Sequence, residues 1–131
     1  MTTTTEKVTY TYEDVLAELR EIIKGREGYV YETPEYSGSC VNFDRDGNPS
    51  CLVGHWLAMH GITGAFFRDT EIPASATVSD LFCGHAHVMP MQVDERARKL
   101  LLLAQQRQDS GSTWGNAVEF SSRNVVEEYT S

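Results

Sequence analysis

Three cysteines and four histidines are the side chains of this 131-residue sequence that could carry chemistry. Cys51 and His55 are four residues apart, so on a helix they would lie on one face. A thiol in the first turn of a helix is favoured as a thiolate by the helix dipole, which makes Cys51 a candidate nucleophile or metal ligand. Free cysteine is, however, among the most frequently buried residue types. The sequence therefore favours a buried thiol beside a hydrogen-bonded histidine.

Zinc is the metal that these side chains would bind. A structural zinc ion takes four Cys or His donors in a tetrahedral arrangement. Cys51 and His55 on adjacent helical turns could meet Cys83 and His85 from a later segment. The chain contains no C-x-x-C pair, and the spacings match no common zinc finger. The sequence thus predicts no metal and no other cofactor, with zinc at these four residues as the alternative.

Acyl chemistry is the second alternative, because Cys51, His85 and Asp94 follow one another in the order cysteine, histidine, aspartate. Residues 51–68 and 84–94 resemble the catalytic blocks of the transglutaminase-like and papain-like enzymes. That resemblance implies a nucleophilic cysteine, a histidine as general base and an aspartate that orients the ring. Asp94 follows the histidines too closely and opens a predicted helix, where those enzymes need strands. No catalytic residue is therefore predicted, and the triad remains an alternative.

Aromatic side chains form the remaining candidate site. They lie in predicted loops or in a small hairpin among acidic groups, and such rings are enriched where proteins bind proteins. A tryptophan also follows the amides and carboxylate that end a predicted helix at residues 105–109. The predicted protein-binding residues are Tyr29, Tyr31, Tyr36, Phe43 and Trp114. The alternative is that these rings only cover the helices and close the core.

Composition excludes some partners. The formal net charge of −8 argues against binding to a phosphate backbone, so no direct nucleic-acid contact is expected. No apolar run approaches the length of a membrane span, and no membrane partner is expected. Residues 1–6 are polar and lack the apolar core of a secretory signal, and three free thiols suit a reducing compartment. We expect a cytoplasmic protein with a disordered N-terminus at residues 1–7 and a single globular domain at residues 8–131.

Residues 48–61 are predicted to form the central helix that positions Cys51. Asn48 can accept hydrogen bonds from the first free amides, and Gly61 suits the left-handed residue that ends a helix. The apolar residues between them cover more than one face, which is typical of a helix buried on several sides. Gly54 in the middle of this helix costs roughly 1 kcal/mol against alanine, so we expect another backbone to approach it closely.

Three further helices are predicted around the central one. Thr11 and Asp94 are the N-caps of the first two, and Gly25 and Gly111 end them. Thr113 opens the last helix, and the short turn before it predicts an antiparallel pair.

Two β-prone runs complete the fold. Residues 29–31 and 40–43 are separated by turn residues at 33–38, which predicts a small hairpin. The predicted fold class is α+β, mostly α: a helical domain with a buried central helix and a small β-hairpin.

Two blocks of the sequence suggest an origin. The first contains Cys40, residues 46–55 (DGNPSCLVGH) and Gly61, and the second is residues 105–118 (QQRQDSGSTWGNAV). Together they resemble a group of small uncharacterised proteins of actinobacteria and their bacteriophages. The resemblance implies a cytoplasmic protein of phage or actinobacterial origin and carries no activity with it.

The predicted function is a non-enzymatic, protein-binding role, as a phage accessory protein that engages a host factor. The small size, the acidity and the aromatic loops motivate it. The alternative is a cysteine-dependent enzyme or a small zinc-binding protein centred on Cys51.

Overall fold

The structure, a computed structural model, describes residues 7–34 and 40–130, with the main chain alone at residues 127–130. The predicted disordered segment 1–7 lies outside this part of the chain except for Lys7. Helices dominate, which confirms the predicted α+β, mostly helical class. Within the described residues, no helix combines the length and the apolar character that crossing a membrane requires. The elements are β1 Val8–Tyr10, α1 Tyr12–Ile23, α2 Leu52–Met59, α3 Gly64–Thr70, a π-helical turn Asp80–Gly84, β2 Met91–Val93, α4 Glu95–Asp109 and α5 Trp114–Thr130.

A two-stranded parallel sheet joins the start of the described chain to its middle. Val8 pairs with Met91 and Tyr10 with Val93. The main-chain N–H of Asp94 continues the pairing by donating to the carbonyl oxygen of Tyr10 (3.0 Å). Because each strand leads directly into a helix, α1 and α4 begin side by side and pack against each other.

The helix starts at Thr11 and Asp94 are confirmed. The Thr11 hydroxyl accepts the N–H of Asp14 (3.2 Å), and the Asp14 carboxylate accepts the N–H of Thr11 (3.0 Å), which is a capping box. The Asp94 carboxylate accepts the N–H of Ala97 (2.7 Å). These caps satisfy amides that have no partner inside the helix. The face of α1 that they direct to the core carries Tyr12, Val15, Leu19, Ile22 and Ile23.

The predicted hairpin between residues 29–31 and 40–43 is wrong. Val30 forms an isolated antiparallel bridge with Thr113, and Phe43 forms one with Pro49. The second β-prone run therefore pairs with the segment that follows it, and the first pairs with the start of α5. Of the predicted turn, residues 35–38 lie outside the described residues.

A tight turn at residues 44–47 explains the second of these pairings. One carboxylate oxygen of Asp44 accepts the main-chain N–H groups of Asp46 (2.9 Å) and Asn48 (3.0 Å). Gly47 has a φ of +84°, a backbone conformation that favours glycine. The chain reverses within a few residues, so the strand partner of Phe43 comes from residues after the turn.

The central helix α2 begins at Leu52 with Cys51 as its N-cap, three residues later than the prediction with Asn48 at the cap. Pro49 is extended because it pairs with Phe43. Cys51 is the N-cap, and its sulfur accepts the N–H of Gly54 (3.4 Å). The predicted end is confirmed, because Gly61 follows the helix with a φ of +84°.

Burial of α2 follows from its apolar surface on several sides. It packs against both α1 and α4, and its buried residues are Leu52, Val53, Gly54, Trp56 and Leu57. The close approach predicted at Gly54 is also observed. A Cβ atom there would overlap the main-chain carbonyl group of Asn42.

Helix α3 was not predicted, because Gly64 interrupts a short apolar run. Gly64 is buried at its first position, where a Cβ atom would lie 3.0 Å from the Cα of Gly47. The expected antiparallel pair is present: α4 and α5 pack closely, joined by a turn in which Gly111 has a φ of +94°.

We expect Gly54→Ala to destabilise the protein strongly, because the new methyl group would meet the rigid carbonyl of Asn42. Overpacking costs about 1–3 kcal/mol, and contact with main chain places the cost at the upper end or beyond. Gly28→Ala is the matched control, since a Cβ there has open space. Urea unfolding measures both, and equal free energies of unfolding for the two variants would contradict the packing described at Gly54.

Candidate functional site

A surface cleft brings together three of the five predicted binding residues, which are Tyr29, Tyr31 and Trp114. Its cavity volume is about 360 Å³. Charged and polar side chains complete the wall, and they come from the loop after α1, the turn before α2, and α2 itself. These additional lining residues are Arg26, Glu32, Asp44, Pro49, Ser50 and His55. We call this site the aromatic cleft.

Trp114 forms the floor of the aromatic cleft and Tyr29 forms its rim. Trp114 is 1% exposed, whereas Tyr29 is 45% exposed. The edge of one ring meets the face of the other, with ring centroids 4.7 Å apart. The His55 ring lies 5.2 Å from Trp114, and the Arg26 guanidinium carbon lies 5.3 Å from the same ring. A ring face next to a cation is a cation–π arrangement, which holds the guanidinium at the cleft.

Main-chain hydrogen bonds fix the two walls relative to each other. The N–H of Trp114 donates to the carbonyl oxygen of Tyr29 (2.8 Å), and the N–H of Gly115 donates to that of Glu27 (2.8 Å). A Cβ atom at Gly115 would lie 3.0 Å from both the Cβ and the carbonyl oxygen of Glu27. The glycine thus lets the start of α5 approach the loop after α1, and the cleft is formed before any ligand arrives.

Gln108 is the buried polar residue on which the floor depends. Its Oε1 accepts the main-chain N–H of Leu52 (2.9 Å) and the indole N–H of Trp114 (3.1 Å). Gln108 is 1% exposed, so these donors have no access to water as a substitute. The sequence places Gln108 among the amides at residues 105–109 that precede Trp114, and it does not predict the two hydrogen bonds of this side chain. A glutamine on an otherwise apolar face is the signal that could have indicated its role.

His55 is held in one tautomer. Its Nδ1 lies 2.9 Å from the main-chain carbonyl oxygen of Cys51, which can only accept, so Nδ1 carries the proton. Burial lowers the pKa of His55 below its ordinary value of 6.5; the hydrogen bond to the Cys51 carbonyl opposes this in part, and the Arg26 charge lowers the pKa by a smaller amount. The ring is therefore neutral at pH 7, and Nε2 carries the acceptor lone pair.

The two other predicted binding residues do not line the aromatic cleft. Phe43 is 4% exposed and lines a neighbouring cavity of about 260 Å³, with its ring 5.5 Å from that of Phe67. Asp44 lines both cavities. Tyr36 lies outside the described residues.

The four residues of the zinc alternative do not form one site. Cys51 is buried at the start of α2, and Cys83 is exposed on the π-helical turn. His55 faces Trp114 in the aromatic cleft, and the main-chain N–H of His85 is bound to the carbonyl oxygen of Asp80. Within residues 7–34 and 40–130, no three His, Cys, Asp or Glu side chains are arranged to hold a metal ion.

The residues of the triad alternative are likewise engaged separately. The Cys51 thiol donates to the side-chain oxygen of Asn42 (3.6 Å) and caps α2. The Asp94 carboxylate caps α4. Among the described hydrogen bonds, neither His85 nor Asp94 is a partner of the Cys51 thiol, so the arrangement needed to activate a cysteine through histidine is not assembled there.

Comparison of the chain with protein-family models, with curated protein sequences and with solved structures found no match. The function of the aromatic cleft is therefore argued from its own chemistry.

Replacing Gln108 with leucine should lower the free energy of unfolding by about 1–3 kcal/mol for each of the two donors left without an acceptor. Gln106→Leu is the matched control, because it makes the same change on the exposed side of α4. Denaturant unfolding compares the two variants. A Gln108→Leu protein as stable as the Gln106→Leu protein would contradict the role given to this amide.

Acidification should cost stability through His55. Its folded-state pKa lies below that of the unfolded chain, so the unfolded state binds the proton more readily. The stability that the neutral His55 ring contributes is fully present above about pH 6.5, the ordinary pKa of histidine. It is lost as the pH falls through the pKa of His55 in the folded protein. We expect the wild-type protein to lose more stability between pH 7.5 and pH 5.5 (both about one unit from that value) than His55→Gln. An NMR titration that finds the folded His55 pKa at or above its ordinary value would contradict this.

Proposed function

We propose that the protein is a non-enzymatic binding protein, and that its aromatic cleft receives an exposed segment of a partner protein. The observation that carries the proposal is the convergence of Tyr29, Tyr31 and Trp114 on one preformed cleft. Tyrosine, tryptophan and arginine are the residues that most often dominate binding energy at protein interfaces. Arg26 stands over the indole and adds the third of these residue types.

Rigidity of the cleft favours recognition. The Tyr31 hydroxyl is hydrogen-bonded to the Ser50 hydroxyl (3.0 Å), and the Arg26 Nε donates to the carbonyl oxygen of Ile22 (2.9 Å). Side chains that are already ordered lose little conformational entropy when a ligand binds. The cleft can therefore use more of its contact energy for affinity.

The groups that line the cleft suit binding better than bond breaking. The Asp44 carboxylate is engaged by two main-chain N–H groups of its own turn. His55 is neutral and its Nδ1 proton is committed to a carbonyl oxygen. A nucleophile needs a base within hydrogen-bond reach, and the described hydrogen bonds of Ser50 and Tyr31 join these two hydroxyls to each other and to main chain.

The net charge of the chain indicates what kind of surface the partner has. The chain carries a net charge of −8, so a partner with a basic surface would be attracted over long range, and its approach would be sensitive to salt. From the resemblance inferred from the sequence alone, we propose a host factor of actinobacteria as that partner and the host cytoplasm as the place of binding.

Affinity capture from an actinobacterial lysate tests the proposal, with the whole chain as bait. We expect a basic protein that the wild type retains, that Tyr29→Ala retains at least about tenfold less, and that salt releases. Tyr29→Ala removes the exposed rim ring and leaves Trp114 in place. Val88→Ala is the control, since it also truncates an exposed apolar side chain, one that does not line the cleft.

Thermal unfolding of Tyr29→Ala should show that the variant is folded before its binding is compared. The isolated partner should then change the fluorescence of the wild-type protein, because it contacts the cleft around Trp114. If every captured protein binds wild type and Tyr29→Ala equally, the aromatic cleft is not the binding site. If no protein is captured by the wild type, the proposed function is wrong.

A further inference from the structure

Two hydrogen-bond donors converge on the sulfur of Cys40. The side-chain amides of Gln105 and Gln108 each donate from Nε2 to Cys40 Sγ at 3.7 Å. Cys51 lies beside this segment, because its main-chain N–H donates to the carbonyl oxygen of Val41, the residue after Cys40 (3.3 Å). Donors directed at one sulfur stabilise its negatively charged form, which is the nucleophilic form of cysteine.

The two thiols of this pair differ in their ionisation. The interaction with the Cys51 thiol lowers the pKa of Cys40 below its ordinary value, and the amides of Gln105 and Gln108 add to that effect, while partial burial and the Asp109 charge oppose it. Burial raises the pKa of Cys51 well above its ordinary value, and the interaction with Cys40 raises it further. Cys40 is therefore the more acidic thiol of the pair, and Cys51 remains a protonated thiol beside it.

Access also differs between the two sulfurs. Cys40 lines an open cavity of about 210 Å³, together with Thr77, Gln106 and Asp109. Cys51 is completely buried. A small molecule in this cavity can therefore reach Cys40, whereas Cys51 does not line the cavity.

We propose that Cys40 and Cys51 form a thiol oxidation site whose co-substrate is a small hydroperoxide. The Cys40 thiolate attacks the terminal oxygen of the hydroperoxide, an S–O bond forms, and the O–O bond breaks. Sulfur loses two electrons and becomes sulfenic acid, while the hydroperoxide is reduced to the corresponding alcohol, or to water when it is hydrogen peroxide.

Cys51 completes the reaction. Its sulfur forms a bond to Cys40 Sγ, the S–O bond breaks, and the hydroxyl leaves as water with the proton of the Cys51 thiol. In total the two thiols lose two protons and two electrons, and the protein gains a disulfide. This site opens at a different cavity from the aromatic cleft, so the inference does not depend on the proposed function.

The test is oxidation of the reduced, full-length protein with one equivalent of hydrogen peroxide, followed by tryptic digestion and mass spectrometry. Cleavage after arginine separates the three cysteines into peptides 27–45, 46–68 and 69–96. We expect peptides 27–45 and 46–68 to be linked, with the linked species two hydrogens lighter than their sum. The exposed Cys83 in peptide 69–96 is an internal control and should remain a free thiol.

Two variants separate the steps. Cys51→Ser leaves a good helix cap in place, since serine is a favoured N-cap, but removes the second sulfur. We expect it to accumulate sulfenic acid at Cys40, which dimedone traps. Cys40→Ser should leave Cys51 unmodified, because Cys51 is completely buried and does not line the cavity. Oxidation of Cys83 ahead of Cys40, or a Cys51→Ser protein with no trapped sulfenic acid, would overturn the proposal.

The amide donors can be tested by rate. Gln105→Met removes one donor to Cys40 at nearly constant size, and Gln106→Met makes the same change beside the same cavity without removing a described donor to the sulfur. We expect Gln105→Met alone to slow the oxidation of Cys40 severalfold at pH 7 and to move the pH profile of its alkylation by iodoacetamide to higher pH. Identical pH profiles for the two variants would show that the amides do not stabilise the thiolate.

Discussion

The side-chain amide of Gln108 is the interaction on which both the fold and the two sites depend. Its oxygen accepts from the first amide of α2, at Leu52, and from the indole of Trp114 at the start of α5. Its nitrogen donates to the sulfur of Cys40 and to the carboxylate of Asp109. A buried amide is stabilising only when its donors and acceptors are satisfied, and here both ends are used. One side chain of α4 thereby fixes the positions of α2, α5 and the segment that carries Cys40.

Asn42 also fixes the position of α2 through buried hydrogen bonds, on the other side of this helix. Its side-chain nitrogen donates to the carbonyl oxygens of Ala74 (3.0 Å) and Ala76 (2.9 Å), and its side-chain oxygen accepts from the Cys51 thiol (3.6 Å). Its main-chain carbonyl lies against Gly54, where no larger residue fits. The irregular segments before and after α2 are thus joined to each other through buried hydrogen bonds. This explains how a fold with only a two-stranded sheet holds long loops in one arrangement.

The elements with local signals could be predicted from the sequence, and those with distant partners could not. The caps at Thr11 and Asp94 lie within three residues of the amides that they satisfy, so the starts of α1 and α4 were found. The parallel pairing of β1 with β2 joins strands of three residues that are far apart in sequence, and neither has a clear alternating pattern. The predicted hairpin was wrong because the β propensity of residues 40–43 does not determine which segment they pair with. The tight turn after Asp44 determined that partner.

The ionisation of the thiols also depends on distant residues, which local sequence signals do not reveal. The helix dipole made a reactive Cys51 the alternative, whereas the residue type favoured a buried thiol. In the structure the loss of hydration on burial outweighs the main-chain donors at this sulfur, so Cys51 is held as a neutral thiol. Cys40 had no local signal, because its donors Gln105 and Gln108 come from a helix that begins more than fifty residues later. Since Gln108 also binds Trp114, the sulfur pair and the aromatic cleft share one hydrogen-bonded residue, although they open at different cavities.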